Sequence, residues 1–210
     1  LCILPAEHQS AWVVNGELRF IHLYFDVEQF ALGAVRLLDR EPRETQLHER
    51  TFIDEPLQTA RFRALSQLDW HEPAERLLCS SLACAILDHS LLSHSGRRQD
   101  LQVKGGLAAH QRKDLLDYIE QHLDQPLSID ALAQRVALSP YHFARMFQLS
   151  VGLAPHRYVL TRRLQRAAHL LQHSHLALGE IALSCGFASA SHFSNRFRQA
   201  FGATPGLYRQ

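Results

Sequence analysis

Acidic side chains almost disappear from the second half of this sequence. Beyond Asp130 there is one, Glu180, against nine arginines. Residues 1–109 hold 11 Lys and Arg against 15 Asp and Glu, and residues 110–210 hold 11 against 6, so the overall charge of +1 conceals a division. A mildly acidic half is joined to a basic one, and the basic half is where a polyanion would sit. Paired cysteines are lacking too. The four present, Cys2, Cys79, Cys84 and Cys185, form no CxxC pair and no disulfide framework, which points to reduced thiols and a cytoplasmic protein. No HExxH, GxSxG, P-loop or GxGxxG occurs, and HEPAE at 71–75 only grazes the first, so no catalytic residue, metal site or cofactor is expected and the chain is not read as an enzyme. No apolar run approaching the roughly 20 residues of a membrane span is read, nor a signal peptide. The sequence opens at Leu1 without Met, inside an expected strand, and is read as lacking N-terminal sequence.

What is present is a repeat. Ala133 corresponds to Ala182 and Val136 to Cys185 at an offset of 49 residues. After one extra residue in the second copy the offset becomes 50, pairing Ser139 with Ser189, His142 with His192, Phe143 with Phe193, Phe147 with Phe197, Gly152 with Gly202, Pro155 with Pro205 and Tyr158 with Tyr208. A repeated unit of this length is one supersecondary module used twice. In each copy the pattern predicts a short helix, a tight turn and a second helix opened by Ser.

Periodicity orients the faces. Ser139 is the expected N-cap of the first copy's second helix, with Pro140 at its first position. Phe143, Met146, Phe147 and Val151 then share the core side, while Tyr141, Ala144, Arg145 and Gln148 share the opposite one. The same register puts Ser191, Ser194, Asn195 and Arg198 outward in the second copy, with Ala190 beside them. One such face alone is equally well a solvated surface. Duplication in a basic domain tips the reading to major-groove recognition.

The matching pieces LAQRVALSPYHFARMF, the Gly152–Leu171 segment, EIALSCGFASASHFSNRF and FGATPGLYR resemble the C-terminal DNA-binding domain of the AraC/XylS family of bacterial transcription regulators. The resemblance covers about the last 100 of 210 residues. It implies two helix-turn-helix modules joined by a linker helix, here Pro155–Gln172, entering successive major grooves on one face of the duplex. It also implies regulation through RNA polymerase. Tyr141, Ala144, Arg145, Gln148, Ala190, Ser191, Ser194 and Asn195 are the candidates for reading bases. Ser139, His142, Arg162, Arg163, Arg166, Ser189, His192 and Arg198 are those for holding phosphates. One departure is Ala137, where the family often has Gly; Ala is expected to be harmless there if its φ is negative.

In the first half, Leu1–Leu4, Ala11–Val14 and Glu17–Phe25 read as strands, with Asn15-Gly16 as a hairpin turn. Helices are predicted over Val27–Leu38, Glu55–Leu68 and Glu72–Leu92, the last with Leu78, Leu82, Ala85 and Ile86 on one face. This half resembles the end of the cupin-like jelly-roll sensing domain found in many such regulators. The expected fold class is therefore α+β: a partial cupin-like effector-binding or dimerisation domain over residues 1–92, a polar tether over 93–106, and an all-α DNA-binding domain over 107–210. A small-molecule effector and a homodimer through Glu72–Leu92 are the expected partners besides duplex DNA and RNA polymerase. Among the 14 histidines, His169 and His173 stand four apart, but no carboxylate or cysteine completes a site beside them, and solvated polar positions are the reading taken. His22 is explained by its strand pattern. The competing reading is a cupin-like metal-dependent or signalling protein whose helical tail binds protein, and the charge division argues against it.

Overall fold

The computed structural model describes residues 1–6, 8, 9, 11, 13, 15–17, 19–98 and 104–209. It is mainly helical, with one small two-stranded sheet among the described residues. The chain divides into two compact units, residues 1–69 with 79–103 and residues 70–78 with 104–210.

The first unit is built on α1 (Val27–Leu38), α2 (Pro56–Gln67) and the part of α3 (Pro73–His94) from Cys79 onward, all close to the predicted spans. Asp26 starts α1: its carboxylate accepts from the Gln29 amide at 2.7 Å while the Gln29 side chain accepts from the Asp26 amide at 3.3 Å, a reciprocal box that satisfies two end donors. Ala31, Ala34 and Val35 of α1, Leu65 of α2 and Ile86, Leu87 and Leu91 of α3 are buried together as apolar core. Gly33 permits the close approach of α1 to α3, since a Cβ there would lie 2.4 Å from Leu91 Cδ1. Gln58, fully buried on α2, donates to the Ile86 carbonyl at 3.1 Å, which keeps its amide from being an unpaired group in that core.

Several expectations for this half are corrected. Among the described residues of the predicted strands, only Ile3 pairs, in a single antiparallel bridge with Arg50. The described residues of Glu17–Phe25 form no strand, and Phe20 and Tyr24 are exposed, because an alternating segment needs a neighbouring strand to hold it. Leu18, and Trp12 and Val14 of the Ala11–Val14 strand, lie outside the described residues. The strands that do form are β1 (Thr45–Leu47) and β2 (Ser95–Arg97), antiparallel with Gln46 opposite Gly96. β2 falls within the stretch read as a tether, whose residues 99–103 lie outside the described ones.

The apolar face of α3 is also shifted. Its buried positions are Ile86, Leu87, Ser90 and Leu91, whereas Leu78 is 49% exposed. Glu75–His94 is, against expectation, long and apolar enough to cross a membrane by length and composition. Its polar groups are nevertheless spent inside the first unit: the Ser90 hydroxyl donates to the Ile86 carbonyl at 2.8 Å, and His89 and His94 both meet Glu55.

The second unit contains α4 (Ala109–Gln121), α5 (Ile129–Arg135), α6 (Pro140–Val151), α7 (Pro155–His173), α8 (Leu178–Ser184), α9 (Ala190–Phe201) and α10 (Pro205–Arg209). The long α7 is shared. Its Tyr158 packs on Phe147 of α6, and its Leu164, Ala167, Ala168 and Leu171 join Ile181, Ala182, Cys185, Phe193 and Phe197 in one buried cluster.

Burial ranks the α3 positions. Leu91→Ala should destabilise the first unit by about 2–5 kcal/mol, while Leu92→Ala, at a position 60% exposed, should change it by less than about 1 kcal/mol. Native-state hydrogen exchange of the α1 and α3 amides would measure both.

Candidate nucleic-acid interface

The repeat is reproduced contact by contact. In the first module Ser139 caps α6, its hydroxyl accepting from the His142 amide at 3.4 Å; in the second Ser189 caps α9, accepting from the His192 amide at 3.1 Å. Each of these helices ends on a left-handed glycine, Gly152 at φ 79° and Gly202 at φ 71°, whose amide returns to the carbonyl four residues back at 2.9 Å. Phe143 and Phe147 lie 5.6 Å apart between ring centres, and Phe193 and Phe197 5.5 Å. Tyr158 and Tyr208 meet Phe147 and Phe197 edge-on at 5.7 and 5.1 Å. With both aromatic pairs fully buried, the rotation of each helix about its own axis is set, and so is the face it turns outward.

The residues expected to read bases lie on those outward faces. Tyr141 is 84% exposed, Arg145 and Gln148 are exposed, and Ala144 is half-buried between them. On α9, Ala190, Ser191 and Asn195 are exposed and Ser194 is half-buried. His142, His192, Arg166 and Arg198 are exposed as well. The hydroxyls of Ser139 and Ser189 act as caps through their oxygens, which leaves their protons to donate outward.

Arg162 and Arg163 are placed differently from the expectation. Arg162 grips the Glu120 carboxylate with two of its nitrogens, one of them at 2.9 Å, and also reaches Gln165. Arg163 donates to the Leu123 carbonyl at 2.8 Å and the Gln125 carbonyl at 2.6 Å, beyond the end of α4. Both cations therefore fasten α7 to the first helix of the domain, and a phosphate would have to displace these partners. Outward Arg periodicity on α7 looks the same in sequence whether the partner is a phosphate or a neighbouring helix.

Arg163 also meets the turn of the second module. Gly186 sits at φ 74°, and a Cβ there would come within 2.2 Å of the Leu123 carbonyl oxygen and 2.8 Å of the Arg163 guanidinium. The carbonyl, the cation and the glycine form one junction between α4, α7 and the α8–α9 turn. Its counterpart, Ala137, has the same turn hydrogen bonds but lies at φ 53°, not at the negative φ that would make alanine harmless. Ala137 is exposed and carries a strain of roughly 1–2 kcal/mol.

Arg196 was not among the candidates. It stands on α9 where α6 has Met146. Met146 is half-buried and its sulfur accepts from the Gly106 amide at 3.3 Å, so the chain entering the domain covers that side of α6. Arg196 instead is exposed, bonds to His192 and Gln199 on its own helix, and lines a cleft of about 290 Å³ with His156, Ser128 and Phe187. The exchange of Met for Arg at equivalent places in the repeat is the signal that would have found it.

Residues 132–210 match the family model described as a helix-turn-helix domain. Over 182 residues the chain is 31% identical to the HTH-type transcriptional activator RhaS of Escherichia coli O81 (strain ED1a), covering 87% of this chain and 64% of that protein. Over 96 residues it is 43% identical to the RhaS activator of Escherichia fergusonii, covering 46% of this chain and 34% of that protein. The chain thus spans between about a third and two thirds of the length of these relatives. Among solved structures, an AraC-type DNA-binding-domain regulator from Chromobacterium violaceum is similar over 48% of this chain and 89% of that one, at 35% identity and a TM-score of 0.45.

The two turns should respond oppositely to substitution. Ala137→Gly should stabilise the domain by about 0.5–1 kcal/mol, the relief of strain less the added freedom of the unfolded chain. Gly186→Ala should cost about 2–5 kcal/mol, from strain and from the displaced carbonyl and guanidinium. Urea denaturation followed by circular dichroism would measure both.

Proposed function

We propose, for a chain whose C-terminal domain belongs to the AraC/XylS family of helix-turn-helix regulators, that the protein is a sequence-specific DNA-binding transcription regulator rather than an enzyme, working in the cytoplasm. The observation that carries this reading is the pair of Ser-capped helices, α6 and α9, held on equivalent aromatic cores and turning polar and cationic side chains outward from a basic domain. Tyr141, Arg145 and Gln148 on α6, and Ser191, Ser194 and Asn195 on α9, are assigned to bases. Ser139, His142, Arg166, Ser189, His192 and Arg198 are assigned to phosphates, and Arg162 and Arg163 are withdrawn from that set because Glu120 and the carbonyls of Leu123 and Gln125 occupy them.

The relatives are named as transcriptional activators, which supports activation as the direction of control, and RNA polymerase is the partner this proposal gives it. The first unit, in this proposal, binds a small-molecule effector or dimerises, and its likeness to a cupin-like domain stays part of the proposal. Leu78 and Leu92, exposed on α3, are the apolar positions a homodimer would cover. A protein-binding helical tail has no comparable support.

The two modules should read unequally. Arg145 can make a bidentate contact to guanine, whereas two serines and an alanine on α9 reach little. In a binding-site selection experiment, the half-site under α6 should carry more information than that under α9. Arg145→Ala should cost about 1–3 kcal/mol and relax one base position, and Ser191→Ala should cost far less. Arg166→Ala should reduce the salt slope of binding by about 1, while Arg162→Ala should leave that slope unchanged and lower stability instead. Equal information in the two half-sites would overturn the unequal assignment, and no enriched site at all would overturn the function.

A further inference from the structure

A cluster in the first unit has no part in the reading above. Glu55 immediately precedes α2, and its side chain does not cap that helix. It reaches across to the last turns of α3 instead. One carboxylate oxygen lies 2.7 Å from His89 Nε2 and the other 2.6 Å from His94 Nε2. The three donor atoms all lie within 4.8 Å of one another, and this is the one such group of His, Cys, Asp and Glu found among the described residues. We propose that Glu55, His89 and His94 form a binding site for a divalent transition-metal ion, zinc being the best match to two imidazoles and a carboxylate.

Both histidines present the same ring nitrogen to the same carboxylate. As a purely hydrogen-bonded clamp, this demands that each imidazole carry its proton on Nε2. A single metal ion replaces both protons, and the two lone pairs and one carboxylate oxygen then converge on it. Zinc ligands at about 2.0–2.2 Å in tetrahedral array stand roughly 3.3 Å apart, so the contacts of 2.6 and 2.7 Å, one to each carboxylate oxygen, would open by less than about 1 Å. The three ligand atoms already lie within 4.8 Å of one another, so any wider separation would close by at most about 1.5 Å. The three side chains are only 12–28% exposed, which restrains the ligands while leaving a route in from solvent. Three protein ligands also leave a coordination position open to water or to an oxygen of a small molecule.

The spacing explains why no metal site was expected from sequence. His89 and His94 are five residues apart on a helix, and Glu55 lies 34 residues from the nearer of them. His169 and His173, the pair with the familiar spacing, have ring centres 4.5 Å apart and are exposed on α7.

The test uses the 210-residue chain. Titration with zinc, by calorimetry, should show one ion bound per chain, and cobalt in its place should give a visible spectrum without a thiolate charge-transfer band. His89→Ala, His94→Ala and Glu55→Gln should each weaken binding by about 10–100-fold or more, while a His169→Ala/His173→Ala double variant should leave it unchanged. Should the variants fold poorly, nitrogen-15 resonances of the imidazoles in the unaltered chain decide the matter. Zinc should shift Nε2 of His89 and His94. Undiminished binding by folded His89 and His94 variants, imidazole shifts confined to other histidines, or no binding by the unaltered chain would each overturn the assignment.

Discussion

The C-terminal helical domain is tied together where the Leu123 carbonyl, the Arg163 guanidinium and Gly186 meet. The carbonyl is left over where α4 ends and would otherwise need water. Arg163 answers it from α7 at 2.8 Å and answers Gln125 as well. Because residue 186 has no Cβ, the α8–α9 turn can close over both groups. First helix, linker helix and second module are thus tied at one point, beside the buried cluster in which Phe193 and Phe197 of α9 pack with Leu164 and Leu171 of α7. Glu120 and Arg162 make a second tie between α4 and α7 a turn away.

Around that junction the two modules share a scaffold and differ in their surfaces. The buried set is nearly symmetric: Phe143 with Phe147, Phe193 with Phe197, and a tyrosine edge-on to each pair. The outward set is not. Tyr141 and Arg145 offer a ring and a fork, while Ser191, Ser194 and Asn195 offer short polar groups. Met146 is covered by the incoming chain at Gly106, whereas Arg196 at the equivalent place is exposed beside a cleft. Core packing preserves the positions of the helices, and the side chains left over decide what each module can recognise.

Much of this domain was legible in the sequence because its signals are local and repeated. Caps at Ser139 and Ser189, the prolines that open α6 and α7, and the helical spacing of the phenylalanines all act within a few residues. The outward faces followed from the same spacing. What was not legible depended on distant partners. The roles of Arg162 and Arg163 turn on Glu120 and on carbonyls some 40 residues away. The φ of Ala137, 53°, is a property of the turn, where the alanine is exposed. In the first unit, the alternation of Glu17–Phe25 reported a capacity to be a strand but not whether a partner strand lay alongside, and the Glu55, His89 and His94 cluster joins two helices that no spacing connects.

If α6 and α9 read DNA as proposed, the junction at Gly186 holds them in a fixed relation through α7. Hydroxyl-radical footprinting of the chain on a selected duplex tests it most directly. The account predicts two protected clusters on one face of the DNA, separated by about one helical turn of 10–10.5 base pairs. A single protected cluster, or two whose separation varies from site to site, would contradict it.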